Sequence, residues 1–453
     1  MSKPHILVIP YPAQGHVIPL MELSQCLINH GFKVTFVNTD HTHERVMNAV
    51  ADETHRGDDQ LHLVSIPDGL EPWEDRNELG QLCEAIYRVM PGKLEELIEK
   101  INGGEDDKIT CVIADFSIGW ALEVAGKMNI KSVAFFPAAA AVLALNFSIP
   151  QLIHEGIINS DGTVSKGQVI HLAPNMPIMK TEDMPWLCFD GLATQKIIFQ
   201  VGQRNNKAAK LAGWVICNSA FDLEPAAFAL APEILPIGPL LASSRLGKTA
   251  GNFWPTDSTC LDWLDQQPPC SVIYVAFGSF TVFDQTQFQE LALGLELSNR
   301  PFLWVVRPDI SESTPYPEGY QERVGSKGMM VGWAPQQKVL SHPSIACFLS
   351  HCGWNSTMEG VSNGLPFLCW PYFADQLFNE GYICDVWEVG LRFDKNKSGI
   401  IPKGEIKNKV EQLLGDENYR ARASKLKEMA ITNVEEGGQS NKIFKNLIEW
   451  IKS

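Results

Sequence analysis

The sequence predicts an α/β fold of two facing domains, each built around a parallel sheet. The chain has 453 residues, which is too long for one hydrophobic core. Short apolar strands alternate with helical segments, and the alternation begins again at Ser271. Between the two halves, Ala242–Thr256 is rich in Ser, Gly and Pro, which is typical of a linker. We therefore predict domains at residues 1–241 and 257–436, a linker at 242–256, and a C-terminal helix at 437–453 that packs back on the first domain.

A βαβ unit opens the first domain. His5–Pro10 is predicted to be a strand, Val17–His30 a helix that stops at Gly31, and Phe32–Asn38 the next strand. The loop between the first strand and the helix has a single glycine, so it is not a dinucleotide fingerprint. This loop instead presents His16 at the carboxyl edge of the strand, where ligands meet a doubly wound sheet.

Further along this domain, an apolar strand at Thr110–Ala114 delivers Asp115 at its carboxyl end. An amphipathic helix at Glu84–Ile101 precedes that strand, after a loop-rich region at Asn48–Gly80. Ser132–Pro150 carries no charged residue and could be mistaken for a membrane span. Because Pro137 interrupts it, we predict a buried strand followed by a buried helix.

The segment from Trp333 to Gln376 is the most informative part of the second domain. The strand Ile345–Leu349 runs into a helix closed by Gly364, and the strand Phe367–Trp370 runs into a helix that starts at Asp375 and Gln376. Two consecutive strand-to-helix turns of one parallel sheet converge on the same crevice.

The first of these turns suits a phosphate. Asn355, Ser356 and Thr357 lie at a helix start, where free backbone N–H groups and the positive end of the helix dipole attract an anion without Lys or Arg. Glu359, expected in the first turn of this helix, is an acceptor for vicinal ribose hydroxyls. Trp333 offers a flat face for stacking a base.

The Trp333–Gln376 segment resembles, over its full length and without a gap, the signature box of plant secondary-product glycosyltransferases. These enzymes transfer a sugar from a uridine-diphosphate donor to a small acceptor. The two α/β halves, the linker and the tail helix Ser440–Ser453 also resemble that family's GT-B architecture of two facing Rossmann-like domains. The resemblance implies an inverting hexosyltransferase that needs no cofactor besides UDP-glucose as co-substrate.

Sugar transfer to a hydroxyl needs a base of nearly neutral pKa, which points to histidine. If His16 and Asp115 meet, the carboxylate would hold the imidazole in one tautomer and stabilise the imidazolium as it forms. The Gln14-Gly15-His16 loop and Asp115 match the family's catalytic histidine loop and its partner acid. The expected reaction is a direct displacement without a covalent sugar–enzyme intermediate. No DxD-type cluster lies near the segment, so no metal is expected.

The donor site follows residue by residue. Charge on the leaving diphosphate would be met by the helix start and by two further side chains, Ser279 and His351. The resemblance implies that Trp333 stacks on uracil, that the Ala334 backbone and the Gln336 side chain bind uridine, that Glu359 binds ribose, and that Trp354, Asp375 and Gln376 bind a sugar that is preferentially glucose.

The acceptor side is expected to be apolar. Phe116, Ala138, Trp186 and Phe373 predict a pocket for a lipophilic phenol, flavonoid or terpenoid alcohol. Many relatives place Ser or Thr near the sugar after the strand that ends at Phe136, whereas this chain has Pro-Ala-Ala-Ala. The usual hydroxyl contact is then missing or supplied by water, and the small residues widen the pocket.

Composition excludes other partners. A net charge of −16 and a pI near 5.2 argue against nucleic acid or an anionic membrane surface. Eleven cysteines without a CxxC pair fit reduced thiols, and the N-terminus reads as a strand instead of a signal peptide. We expect a cytoplasmic monomer without a membrane span.

Two other functions stay open on the sequence. A nucleotide-sugar-binding protein without turnover would keep the Trp333–Gln376 segment but not a working base, and the intact His16 and Asp115 argue against it. A hydrolase that pairs these two residues with a serine would need a GxSxG turn that leads from a strand into a helix. The match to this pattern, Gly360–Gly364, instead ends a predicted helix, so it is not a nucleophile turn.

Overall fold

The computed structural model describes residues 3–50, 60–104, 107–240 and 251–453. Within them, the strands form two large sheets in which all neighbours pair in parallel, which confirms the predicted fold class. A short antiparallel pair completes the set. The strands are β1 His5–Ile9, β2 Lys33–Thr39, β3 Leu61–Ile66, β4 Ile109–Asp115, β5 Lys131–Phe136, β6 Val169–Ile170, β7 Met179–Lys180, β8 Trp214–Cys217, β9 Ile234–Pro236, β10 Val272–Ala276, β11 Phe302–Val305, β12 Gly328–Val331, β13 Ile345–Ser350, β14 Phe367–Cys369 and β15 Gly390–Arg392.

Helices cover both faces of the two sheets, as parallel strands require. They are α1 Gln14–Asn29, α2 Asp40–Val50, α3 Leu79–Asn102, α4 Trp120–Lys127, α5 Ala140–His154, α6 Leu192–Ala209, α7 Pro225–Leu230, α8 Thr259–Leu264, α9 Gln285–Ser298, α10 Pro308–Ser313, α11 Tyr320–Val324, α12 Gln336–Leu340, α13 Trp354–Asn363, α14 Gln376–Gly381, α15 Lys403–Gly415, α16 Glu417–Val434 and α17 Gln439–Lys452.

The order of strands puts a ligand crevice on each sheet. The first sheet has the order β3-β2-β1-β4-β5-β8-β9, and the second has the order β12-β11-β10-β13-β14-β15. The chain therefore changes direction across the first sheet between β1 and β4, and across the second between β10 and β13. Ligands of open parallel sheets bind outside the carboxyl ends of the strands at such switch points. His16 follows β1 and Asp115 is the last residue of β4, while Ser279 and His351 follow β10 and β13.

The C-terminal helix α17 packs on the first sheet. Leu447, Ile448 and Ile451 are buried with the apolar side chains on one face of that sheet. The Lys131 ammonium donates to the Trp450 carbonyl at 2.9 Å, and the Ser440 hydroxyl donates to the Gly238 carbonyl at 2.7 Å. The chain thus returns to its N-terminal half after completing the second sheet, while the domain boundaries inferred from the sequence remain a prediction.

Several predicted elements change in detail. The structure begins α1 at Gln14 instead of Val17, because the Ala13 carbonyl already accepts from the amides of His16 and Val17 at 2.9 and 3.0 Å. His16 therefore lies in the first helical turn, not in a loop. The helix α3 also begins earlier than predicted, at Leu79, and the region predicted to be loop-rich contains the end of α2 and the strand β3. Residues 242–250 of the predicted linker lie outside the described residues.

The uncharged segment Ser132–Pro150 forms most of β5 and the buried start of α5. In the described parts of the chain, every helix is too short or too polar to cross a lipid bilayer.

Candidate active site

His16 and Asp115 meet at the switch point of the first sheet. The Nδ1 atom of His16 lies 2.7 Å from Oδ2 of Asp115, and Asp115 is fully buried. The other carboxylate oxygen, Oδ1, accepts from the Ser117 amide at 2.8 Å, which fixes the carboxyl group. The Asp115 carboxylate accepts a hydrogen bond from the Nδ1–H group of His16, so Nε2 is the ring nitrogen left with a lone pair.

The surroundings of His16 tune it toward a base. Burial opposes protonation of the ring, but the carboxylates of Asp115 and Asp375 outweigh that effect and raise the pKa of His16 above its usual value. The side chain is 28% exposed, so a small molecule can reach it. A histidine held this way is able to take a proton from a nearby hydroxyl and to keep the resulting charge beside a carboxylate.

One cavity of about 460 Å³ lies between the two sheets. It is lined by every predicted site residue except Thr357 and Asp115, and Asp115 lies behind His16. The lining residues of the prediction are His16, Phe116, Ala138, Trp186, Ser279, Trp333, Ala334, Gln336, His351, Trp354, Asn355, Ser356, Glu359, Phe373, Asp375 and Gln376. The fold therefore brings the candidate base and the Trp333–Gln376 segment to one space.

A direct contact joins α1 to α13 across this cavity. Pro19 has no N–H, so the Gly15 carbonyl lacks the i+4 donor that a helix normally supplies. The side-chain amide of Asn355 donates to that carbonyl at 2.5 Å. The helix start that was predicted to hold a phosphate is thus attached to the turn that carries His16.

The start of α13 keeps its first amides free for an anion. Gly353, at the N-cap, has no side chain to cap the helix, which leaves the amides of Trp354, Asn355 and Ser356 without intrahelical partners. Thr357 was expected to contribute as well, but its amide donates to the Gly353 carbonyl at 2.9 Å and is not available.

His351 packs closely beneath this helix start. A Cβ atom at Gly278 or Gly353 would lie 2.6 or 2.5 Å from its Nε2, so both neighbours need to be glycine. Burial lowers the pKa of His351 to about 4, and the positive charge of Arg307 acts in the same direction. At neutral pH the ring is uncharged, so it can offer a diphosphate a hydrogen bond but no positive charge.

Gln336 and Glu359 form one polar network. The Gln336 amide nitrogen donates to the Ser356 hydroxyl at 2.9 Å and to the Glu359 carboxylate, while its oxygen accepts from the Tyr274 hydroxyl at 3.0 Å. Burial raises the pKa of Glu359 to about 7. Glu359 lies in the second turn of α13, not in the first as expected, which places it beside Gln336 at the edge of the cavity.

Trp333 is stacked on a second tryptophan. The ring of Trp254 lies 4.9 Å away at an angle of 28°, and the Arg45 guanidinium lies 4.5 Å from the centre of the Trp254 ring. One face of Trp333 is therefore covered, and its remaining face lines the cavity. The sequence analysis missed Trp254 and Arg45 because they lie far from Trp333 in the chain.

The predicted sugar-binding residues are held by hydrogen bonds. Oε1 of Gln376 accepts from the amides of Tyr372 and Phe373 at 2.8 and 3.1 Å, which leaves its NH₂ group for a ligand. Asp375 accepts from the Asn379 side chain at 2.7 Å, and burial raises the pKa of Asp375. The indole N–H of Trp354 donates to the Asn218 carbonyl at 2.9 Å, so the ring and backbone are what this residue offers to the cavity.

The start of α5 shows how the unusual Pro-Ala-Ala-Ala segment is accommodated. No side chain of the segment caps the helix. The fully buried Glu224 instead accepts from the amides of Ala140 and Ala141 at 2.9 and 3.0 Å. Pro137 and Ala138 line the cavity, so small apolar groups stand where the usual hydroxyl was expected.

The acceptor part of the cavity is lined by more residues than the four that were predicted. Phe116 and Trp186 contribute, with side chains from α3, α5 and α6 that the sequence pattern does not separate from ordinary core. Tyr11 also lines it, with its ring centre 5.2 Å from that of His16, and its position after β1 was the signal that could have found it. Among the described residues, no three His, Cys, Asp or Glu side chains group as a metal site.

Comparison with known proteins gives the following similarities. Residues 256–431 match the family model described as "UDP-glucoronosyl and UDP-glucosyl transferase". The chain is 48% identical to UDP-glycosyltransferase 83A1 of Arabidopsis thaliana, with 100% of this chain and 98% of that protein covered. It is 34% identical to linamarin synthase 1 of Manihot esculenta, with 99% and 97% covered.

Solved structures are similar over the same extent. UGT2 of Phytolacca americana, complexed with UDP-2fluoro-glucose and pterostilbene, gives a TM-score of 0.81 at 27% identity, with 99% of both chains covered. Os79 of O. sativa in complex with UDP gives a TM-score of 0.81 at 27% identity and the same coverage. The similarity therefore extends over both sheets.

Proposed function

The chain belongs to the plant UDP-glycosyltransferases, and from that membership we propose that it transfers glucose from UDP-glucose to a hydroxyl group of a lipophilic small molecule. His16 acts as the base, and Asp115 positions it. The observation that carries the proposal is the single cavity shared by His16 and the Trp333–Gln376 segment.

In the proposed reaction, Nε2 of His16 takes the proton of the acceptor hydroxyl while Nδ1 stays bonded to Asp115. The acceptor oxygen attacks the anomeric carbon from the side opposite the diphosphate. A new carbon–oxygen bond forms, the bond to the diphosphate oxygen breaks, and UDP leaves with the bonding electrons. The sugar configuration inverts, and the proton remains on His16 beside a carboxylate.

The leaving diphosphate is stabilised by dipoles. The free amides of Trp354, Asn355 and Ser356 and the dipole of α13 face the negative charge as it develops, and neutral His351 and Ser279 add hydrogen bonds. Because these donors are fixed before the reaction, they replace the divalent cation that other sugar transferases use. We therefore propose that the enzyme needs no metal and no bound cofactor.

The nucleoside and the sugar have separate contacts in this proposal. Uracil lies on the open face of Trp333, beside Ala334 and Gln336, and the ribose hydroxyls donate to Glu359. The glucose hydroxyls bind Asp375, the free NH₂ group of Gln376, and Trp354. The aromatic and aliphatic wall at Phe116, Ala138, Trp186 and Phe373 suits a phenol, flavonoid or terpenoid alcohol.

The test uses purified protein, UDP-glucose and a panel of phenols, flavonoids and terpenoid alcohols in buffer with EDTA. UDP release and a hexose mass shift of the acceptor are measured together. We expect His16→Ala to lower turnover by about 10² to 10⁴ while UDP still binds. Mutation of the exposed His171 to alanine is the matched control, since this residue lies outside the cavity. Loss of UDP binding in His16→Ala would count against a base role.

The alternative is a nucleotide-sugar-binding protein without turnover. It predicts UDP-glucose binding with no UDP release for any acceptor and no effect of His16→Ala on binding. The hydrogen bond between His16 and Asp115 favours the enzyme, because a protein that only binds has no use for a base held in one tautomer.

We also propose that the enzyme acts as a monomer in the cytosol. All eleven cysteines are free, which fits a reducing compartment.

A further inference from the structure

One buried side chain in the acceptor part of the cavity has a fixed orientation. Asn205, on α6, is only 3% exposed and lines the cavity. Its Oδ1 accepts from the Gly119 amide at 2.9 Å and from the Tyr87 hydroxyl. A backbone amide can only donate, so this contact identifies the oxygen end of the Asn205 side chain.

The nitrogen end of the same side chain is left for a ligand. With Oδ1 turned toward Gly119 and Tyr87, the NH₂ group is the part of Asn205 that faces the cavity. Across the described residues, this nitrogen donates no hydrogen bond, and the contacts of the side-chain amide are those of Oδ1. The packing behind it is tight, since a Cβ atom at Gly119 would lie 2.8 Å from Oδ1 of Asn205. The amide therefore cannot turn away without giving up two hydrogen bonds.

The wall around Asn205 is mostly apolar. Phe116, Val142, Ile149 and Phe199 line the same part of the cavity. Asn146 and Ser117 also line it, but they are partly exposed, whereas Asn205 is enclosed and its orientation is fixed. A buried donor in apolar surroundings discriminates strongly between a ligand that offers it an acceptor atom and one that does not.

Asn205 is separated from the base by a row of contacts. Tyr11 lies next to His16, and its hydroxyl contacts the Cys83 thiol at 3.9 Å. Tyr87 follows Cys83 by one turn of α3 and bonds to Asn205. An acceptor with its reacting hydroxyl at His16 therefore reaches Asn205 with a different part of its structure.

We propose that Asn205 is a specificity-determining residue that donates a hydrogen bond to a second oxygen of the acceptor, remote from the hydroxyl that receives the sugar. The inference rests on the proposed function and narrows its substrate class. Preferred acceptors carry two oxygen functions on an apolar body: a hydroxyl that reacts and a carbonyl, ether or hydroxyl oxygen that binds Asn205.

The test uses two flat acceptors that differ in a single group at the same position. 6-Acetyl-2-naphthol offers a carbonyl oxygen, and 6-isopropenyl-2-naphthol replaces that oxygen with a CH₂ group of similar shape. The measured quantity is the ratio of kcat/KM for the two compounds with UDP-glucose. In the unmodified enzyme we expect the carbonyl compound to be preferred about tenfold.

Asn205→Asp is the decisive variant, because it keeps an oxygen for Gly119 and Tyr87 but removes the NH₂ donor. We expect it to lower the ratio about tenfold relative to the unmodified enzyme. Comparing ratios between variants cancels the effect of the acetyl group on the acidity of the naphthol. If the aspartate variant folds poorly, Asn205→Ala takes its place, with its folding checked by thermal melting. Asn205→Ala should lower the ratio as well.

Asn206→Asp is the matched control. It makes the same chemical change at the next residue of α6, whose side chain donates to the Asn146 carbonyl at 2.7 Å and does not line the cavity. Its ratio should equal that of the unmodified enzyme. An unchanged ratio in both Asn205 variants would overturn this inference alone. UDP binding without transfer to any phenol in the panel would overturn the proposed function as well.

Discussion

Replacing Asp115 with asparagine tests how the carboxylate controls His16. Oδ1 of Asp115 accepts from the Ser117 amide at 2.8 Å, and Oδ2 lies 2.7 Å from Nδ1 of His16. The asparagine oxygen is expected to stay on the Ser117 amide, which turns the new NH₂ group toward His16. Nδ1 must then accept a hydrogen bond, so the ring proton moves to Nε2. In that tautomer Nε2, which faces the acceptor, has no lone pair with which to take the proton of the acceptor hydroxyl.

The size of the effect follows from the geometry. A positive imidazolium and a carboxylate 2.7 Å apart interact by about 6 kcal/mol at an effective dielectric constant of about 20. This energy is a ceiling, because the variant retains a neutral dipole at the same place. With the tautomer reversed as well, we expect kcat to fall by about 10³ to 10⁴, equivalent to about 4 to 5.5 kcal/mol of barrier.

The assay is the pH profile of kcat at saturating UDP-glucose, with UDP affinity measured by calorimetry. His16 must be neutral to act, so activity is lost as the pH falls through its pKa. Burial lowers that pKa, while Asp115 and Asp375 outweigh burial and raise it. Removing the Asp115 charge should shift the acid limb to lower pH, with a lower plateau. A plateau within threefold of the unmodified enzyme, or a parallel loss of UDP affinity, would refute this account.

Two further substitutions test the donor site. Trp254→Leu removes the ring stacked on Trp333 and should weaken UDP binding by about two- to tenfold in calorimetry. Trp73→Leu, a control at an exposed tryptophan, should leave UDP affinity unchanged. Equal UDP affinities in the two variants would mean that the stack does not contribute to UDP binding. Burial raises the pKa of Glu359 to about 7, so protonation on the acid side removes an acceptor for the ribose and KM for UDP-glucose should rise as pH falls. Glu359→Gln should raise KM about tenfold and flatten that pH dependence, and a retained pH dependence would assign it to another group.

The sequence predicted what local chain geometry determines. Glycine at Gly364 ends α13 in the left-handed conformation, at φ 70°, and an apolar strand delivers Asp115 at its carboxyl end. These features depend on residues that are neighbours in the chain, so they can be predicted from the local sequence. The predicted start of α1 was too late because Ala13, at the N-cap, has no side chain that could cap a helix. The backbone carbonyl of Ala13 forms the first helical hydrogen bonds instead.

The contacts that require distant parts of the chain were not predictable in the same way. Trp254 meets Trp333, and Asn205 meets Gly119 and Tyr87, only after the sheets are assembled. On a single helix such as α6, a polar residue directed at a cavity has the same spacing as one that bonds to the core. The difference lies in which atoms already have partners, and only the packed structure contains that information.

The contact between Asn355 and Gly15 joins the two parts of the proposed mechanism. A diphosphate at the start of α13 needs the backbone amides of residues 354–356, and these amides are independent of the Asn355 side chain. That side chain is therefore able to hold the Gly15 carbonyl while the backbone holds the donor. Since Gly15 directly precedes His16, this hydrogen bond links the candidate base to the helix start that is proposed to hold the leaving group. Pro19 keeps this bond available, because any other residue there would offer its own N–H to the same carbonyl.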